Sequence, residues 1–352
     1  METAFTSHNR WLRLSEELLV ALGAVCTFTI LVLVLSGAPP FAAFAQIVKG
    51  SLGSWSKFAH VIKAWIPLTL CGMGLLYTFR IGLWNIGIEG QVIAGAIFTT
   101  AIVKLGLDSD HPQLFVALAI GCGAIGGAIW AVMAGWLKTK GGVHEIFAGL
   151  GLNFVAQGIA LWLIFGPWKR PGVASMSGTE VFPPEFWLPY ISGRICLPGV
   201  VLAVLAIVFT AAMLKVTRIG LNLKAIGSNR TAAYLFGLKP DRFMLLAMVF
   251  AGAFAGIAGS LQLTAVYHRL IPAISSNYGY LALLVVMLSN YNIAAVPAVA
   301  FFFACLNVGS IQLPMVLKID SSLSGVIQGA LVLATLAVQA WRMKRKRERE
   351  AI

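Results

Sequence analysis

The chain has 352 residues, of which 59% are hydrophobic and only 11% charged, against roughly 25% charged in an average soluble domain; its mean hydropathy is +0.86. A water-soluble globule of this length could not cover so much apolar surface, which excludes a soluble fold, a disordered chain and a coiled coil. The net charge of +13 would suit a nucleic acid, but the basic residues gather at the ends of apolar runs, where they act as topology signals and anchors to anionic lipid.

A bilayer-crossing helix needs about 20 apolar residues. Runs near 18–36, 62–80, 84–104, 113–136, 145–166, 196–214, 243–266, 278–290, 294–312 and 321–341 predict about ten spans, an all-α polytopic membrane protein with one transmembrane domain over 18–341. A segment 1–17 precedes it and a basic tail 342–352 follows. Arg10 and Arg13 precede the first run as in a signal peptide, yet Pro39-Pro40 stands where a small-residue cleavage site belongs, so an uncleaved helix is expected. With both termini on the cytoplasmic side, 17 of the 26 Lys and Arg residues fall on that side, as the positive-inside bias asks. Residues 37–60 and 168–195 are then outer loops, the second holding Pro171, Pro183, Pro184 and Pro189 among Trp168, Trp187 and Tyr190.

In chain order, the first polar break is Arg80 to Gln91, where Gly82, Gly87 and Gly90 interrupt an apolar run and bring Trp84, Asn85, Glu89 and Gln91 with them. A charge at a helix centre costs about 2.5–3.5 kcal/mol on insertion scales, and broken backbone at membrane depth is tolerated only against protein or a watery cavity. Glu89 falls in the first turn of the next helix, where the dipole favours an anion. Two roles are open to it: a structural carboxylate that caps broken backbone or pairs with Arg80, or a lining residue of a solute path. Further on, Gly123 with Gly127 and Gly252 with Gly256 and Gly259 form small-residue ladders for close helix packing.

The loop 215–242 is the longest polar stretch on the inner side; Ser228 or Asn229 makes a good N-cap and Gly237 and Pro240 a stop, predicting one short amphipathic helix suited to a groove on another protein. A second break, Ser275-Ser276-Asn277 before Tyr278, opens the short run that ends at Asn290-Tyr291-Asn292. Interrupted segments at matching places in two halves point to a midplane pathway between pseudo-repeats. Trp84, Asn85, Glu89, Gln91, Tyr278 and Asn290 are the candidate path residues.

Catalytic signatures are missing. There is no G-x-x-x-x-G-K-[ST] phosphate loop, His144-Glu145 lacks the second histidine of a zinc protease, and no G-x-S-x-G elbow occurs. The five cysteines are unclustered and read as small core residues. No catalytic group, metal site or cofactor of its own is therefore expected, which leaves transport.

Two stretches together resemble a known family. Pro67-Leu-Thr-Leu-Cys-Gly-Met-Gly74 leading to Asn85-Ile-Gly-Ile-Glu-Gly-Gln91 is similar to the "PL-x-L-x-G…NIG-x-EGQ" pattern of sugar- and nucleoside-type ABC importer permeases, and Ala225 to Gly237 is similar to their coupling segment. His144-Glu145-Ile146 with Asn153 resembles the opening of the family's fifth span, with His144 in place of the usual Asn, and Phe165-Gly166-Pro167-Trp168 resembles a turn of the longer, nucleoside-branch type. The resemblance spans about residues 60–335. It implies a type II-like importer fold in the bacterial cytoplasmic membrane and a dimer of permeases, often of two different chains. It also implies an external substrate-binding lipoprotein and a separate ATPase that holds ATP and magnesium. Asn229, Arg230, Ala232, Ala233 and Gly237 would then form the ATPase-coupling segment. The competing expectation is a gradient-driven secondary transporter with Glu89 as its coupling carboxylate.

Overall fold

The computed structural model describes residues 40–172, 177–191 and 194–312, with Thr27, Ile30, Val316 and Gly329. The runs expected at 18–36 and 321–341, the segment 1–17 and the tail 342–352 lie outside the described residues. The chain divides into two compact units, residues 62–303 and the pair 1–61 with 304–352.

In the smaller unit, α1 (Pro40–Leu52) occupies most of what the sequence suggested was the loop 37–60. The proline pair misleads because proline is tolerated in the first helical turn, where its missing N–H has no partner to lose. Ser51 Oγ donates to Ile47 O at 2.8 Å, and Gln312 Nε2 donates to Gly50 O at 3.2 Å where Gly50 and Gly309 meet face to face.

The larger unit is helical throughout its core. α2 (Trp55–Arg80) starts earlier than the expected 62, its first residues belonging to the smaller unit; then come α3 (Ile88–Leu105), α4 (Pro112–Thr139), α5 (Glu145–Phe165), α6 (Leu197–Val216), α7 (Arg218–Ser228), α8 (Arg230–Leu235), α9 (Pro240–Gln262), α10 (Tyr278–Leu288) and α11 (Ala295–Ile311), whose residues from Ala304 on belong to the smaller unit. A π-turn, Leu263–Tyr267, extends α9. Among the described residues six helices are long and apolar enough to cross a membrane: α2 to α6 and the continuous Pro240–Tyr267; α10 and α11 are apolar but shorter.

The centre of this unit is α3, α4 and α9, and glycine explains how close they come. A Cβ on Gly127 would strike the carbonyl of Gly252, one on Gly256 the carbonyl of Gly123, and one on Gly95 the backbone of Gly256. Without a solvent-driven hydrophobic effect between helices, such backbone approach supplies the dispersion contact that holds spans together. The Thr99 and Ser260 hydroxyls meet at 2.7 Å across this contact; one donates to the other, which in turn donates to a carbonyl of its own helix, Gly95 O or Gly256 O.

The loop after α5 folds back onto the protein. A 3₁₀ turn, Pro184–Phe186, precedes a two-stranded antiparallel ribbon, β1 (Tyr190–Ile191) and β2 (Ile195–Cys196), with Tyr190 opposite Cys196. Phe182 N donates to His268 O at 2.9 Å, Leu188 N donates to Thr264 O at 3.2 Å, and the Trp187 ring stacks on His268 at 4.0 Å. This loop thus supplies donors to one carbonyl within the π-turn, Thr264 O, and to one just past it, His268 O.

Candidate functional site

α2 ends at Arg80, and the chain turns back through Gly82, whose φ is +81°. Leu83 N closes the turn on Thr78 O at 2.8 Å. Asn85 and Gln91 then face each other across the turn and exchange both amide bonds, at 3.1 and 2.8 Å, fully buried. Each amide has used one donor and one acceptor on the other, which braces the broken backbone between α2 and α3.

Glu89 sits one residue into α3 and is 5% exposed. Its carboxylate accepts from the backbone N–H of Gly279 at 2.8 Å, at the start of α10, and the Ser275 hydroxyl and the N–H groups of Asn277 and Tyr280 are directed at it too. It therefore caps α10 while standing in the first turn of α3, so two positive helix ends converge on one negative group. The pairing with Arg80 that the sequence allowed is not made: no ion pair to Arg80 exists among the described residues. Gly279 is required by this approach, since a Cβ there would lie 2.5 Å from Glu89 Oε2 and 2.8 Å from its backbone nitrogen. Ser276 and Asn277, with φ of 50° and 60°, turn the chain sharply so that these N–H groups point to the carboxylate.

Asn153, on α5, ties the same place together. Its Oδ1 accepts from Gly90 N at 2.8 Å, and its Nδ2 donates to Ile86 O and Tyr280 Oη, both at 3.0 Å. One turn further, Gln157 Nε2 donates to Pro272 O at 2.7 Å. Asn153 lies ~12 Å along α5 at 1.5 Å per residue, so both interruptions meet well inside the span. The path residues chosen from the sequence did not include Asn153, Gln157 or Tyr280. The available signal was the four-residue spacing of two amides in an otherwise apolar run, one helical stripe.

The six candidate path residues fall in two places. Asn85, Glu89, Gln91 and the half-buried Tyr278 belong to the junction of α3 with α10. Trp84, 40% exposed, meets Phe79 edge-on at 5.5 Å, and Phe79 meets Tyr291 at 5.2 Å; the exposed Asn290 precedes Tyr291 in the turn after α10.

The loop 215–242 contains two helices rather than one. α7 was missed because Arg218–Ser228 alternates charge with glycine; its buried Gly220, Leu223 and Ile226 nevertheless form one face. Gly227, near its end, packs against the carbonyl of Arg80 and the Cα of Ile81, the residue that enters the first turn. Asn229 then caps α8, its Oδ1 accepting from Ala232 N at 2.9 Å. Arg230 pairs with Asp241 at 2.7 Å, Ala233 is buried, and Gly237, with φ of +83°, closes the helix. Tyr234, Leu235 and Phe236 stand 67%, 79% and 89% exposed. Three large side chains in a row are thus left mostly uncovered by the described residues.

A many-helix apolar bundle with buried polar breaks and a short helix exposing large side chains is the build of a membrane transport component. The family model described as "Branched-chain amino acid transport system / permease component" matches residues 57–336, and the chain belongs to that family. It is 28% identical to the glucose ABC transporter permease protein TsgB13 of Haloferax volcanii, over 95% of this chain and 90% of that one. It is 25% identical to the guanosine ABC transporter permease protein NupP of Bacillus subtilis, over 89% and 90%. To the nucleoside ABC transporter permease protein NupB of Lactococcus lactis it is 23% identical, over 78% of each chain. The protein is thus a multi-pass membrane protein of the ABC permease class, a transport component rather than an enzyme.

Proposed function

We propose that the chain is the membrane-spanning subunit of an ABC importer that takes a nucleoside or related sugar-like solute inward across the cytoplasmic membrane. It works with a second permease chain, a separate ATPase carrying ATP and magnesium, and an external binding protein. The observation that carries this reading is α8, a capped helix on the basic side with Tyr234, Leu235 and Phe236 uncovered. Such a helix fits a groove on a partner that supplies the nucleotide chemistry this chain lacks.

The mechanical route is short. Movement of α8 shifts α7, Gly227 bears on Arg80 and Ile81, and the turn 81–87 leads into α3. Glu89 passes the displacement to α10, so both interrupted segments respond together. The solute path runs beside them, past Trp84, Tyr278 and Asn290, where aromatic faces and an amide suit a base or a sugar hydroxyl. Glu89 as a proton-coupling group fits less well, because its oxygens are already engaged by the start of α10.

Reconstitution in proteoliposomes with the ATPase and binding protein tests this. Uptake of labelled guanosine or glucose that needs internal ATP, and that is abolished when Tyr234 and Phe236 become Ser, is the expected result. Uptake driven by a proton or sodium gradient without ATP would overturn it.

A further inference from the structure

A groove of about 510 Å³ opens on the outer surface of the α4–α9 contact. On α4 it is lined by Ile125, Ile129, Val132, Met133 and Trp136, which recur at three- and four-residue spacing and form one stripe; Val249 faces them from α9. One step further along each stripe the chemistry changes. Lys140 lies four residues past Trp136 and Arg242 seven before Val249, and both line a second cavity of about 580 Å³ together with Arg230 and Lys239. Four cations there face a single carboxylate, Asp241, which is already held by Arg230 at 2.7 Å. Lys140, Lys239 and Arg242 form no ion pair among the described residues.

We propose that the two cavities are one binding site for an anionic diacyl phospholipid, with an acyl chain along the α4 stripe and the phosphate headgroup among Lys140, Arg230, Lys239 and Arg242. The stripe from Ile125 to Lys140 is ~22 Å long at 1.5 Å per residue, enough for the chain and headgroup of a lipid in one leaflet of a ~30 Å core. Ile125, Ile129, Met133 and Trp136 are exposed along it, so none of the described residues covers the groove. A soluble anion would satisfy the cations and leave the groove empty; a zwitterionic lipid would fill the groove and leave the cations unneutralised. An anionic lipid does both. Its headgroup would touch Arg230 and Tyr234 and so bear directly on α8.

The test uses the full-length protein in mild detergent, with native mass spectrometry of bound phosphatidylglycerol and phosphatidylcholine of identical acyl chains, and with inorganic phosphate as a third probe. Phosphatidylglycerol should be retained roughly tenfold or more over phosphatidylcholine, and Lys140→Gln with Arg242→Gln should erase that preference, while Lys140→Arg with Arg242→Lys keeps it. Ile129→Trp, which fills the groove and leaves the cations in place, should weaken retention of the lipid and serves if the double Gln variant does not fold. Equal retention of the two lipids, an unchanged preference in the Gln variant, or displacement of the lipid by millimolar phosphate would overturn the proposal. Neither ATPase nor solute is present, so the result is independent of the transport reading.

Discussion

Glu89 is the residue on which the buried junction turns, and its role has a measurable size. Glu89→Ala leaves Gly279 N–H and its neighbours without an acceptor, a loss of about 1–3 kcal/mol for a buried unsatisfied group. Glu89→Gln keeps an oxygen but removes the charge from two helix ends, a smaller loss of about 0.3–1 kcal/mol. Thermal unfolding of the purified protein should rank wild type above Gln above Ala; an unfolding midpoint for Ala equal to that of wild type would refute the capping role. His268 offers a pH test outside the spans. Burial beneath Trp187 lowers its pKa below the ordinary 6.5, with the Lys63 charge acting in the same direction and a bond to Thr264 O opposing both. The unfolded chain therefore takes up the proton first, so the stability this group contributes is full above pH 6.5 and is lost as the pH falls toward the folded value. His268→Gln should flatten that part of the stability–pH curve. The polar character of these residues was legible in the sequence, because an amide or carboxylate in an apolar run stands out. Their partners were not: Glu89 and Gly279 are 190 residues apart, and no local spacing connects them.

Among the elements, α8 is opened by one side-chain cap, Asn229. Asn229→Ala should cost about 1 kcal/mol, typical of losing an Asn N-cap, and should speed hydrogen exchange of the 230–235 amides by about fivefold while leaving α9 unchanged. Exchange rates that stay at the wild-type value would mean that packing and not the cap maintains the helix. The α4–α9 crossing depends on shape alone. Gly256→Leu places a branched side chain against the Gly123 carbonyl and should cost at least the ~1–3 kcal/mol of an overpacked core, read as a lower unfolding midpoint or failure to accumulate in membranes. Both the ladder and the cap were visible beforehand, since four-residue glycine spacing and an Asn before a small-residue run each have one physical use. α1 and α7 were not, because a proline pair and a charge-glycine alternation obey loop statistics until neighbouring helices cover the buried face.

For the molecule as a whole, the hydropathy pattern located the long spans among the described residues within four positions at each end, except that α2 begins seven residues before the expected 62, because a bilayer demands length and apolarity and little else. Orientation is the remaining global claim. In a background lacking the five cysteines, Phe236→Cys should react with an impermeant maleimide from the cytoplasmic side only and Val181→Cys from the opposite side only; both positions are exposed. Reaction of both from one side would invert the arrangement. One further consequence follows from the carboxylate that terminates α3 and α10 together. Sliding either helix alone would strip a charge of its donors in a medium that offers no water, at a cost of several kcal/mol. The two must then travel as a single lever, bounded by the sharp turns that the left-handed pairs Ser276-Asn277 and Asn290-Tyr291 make at either end of α10.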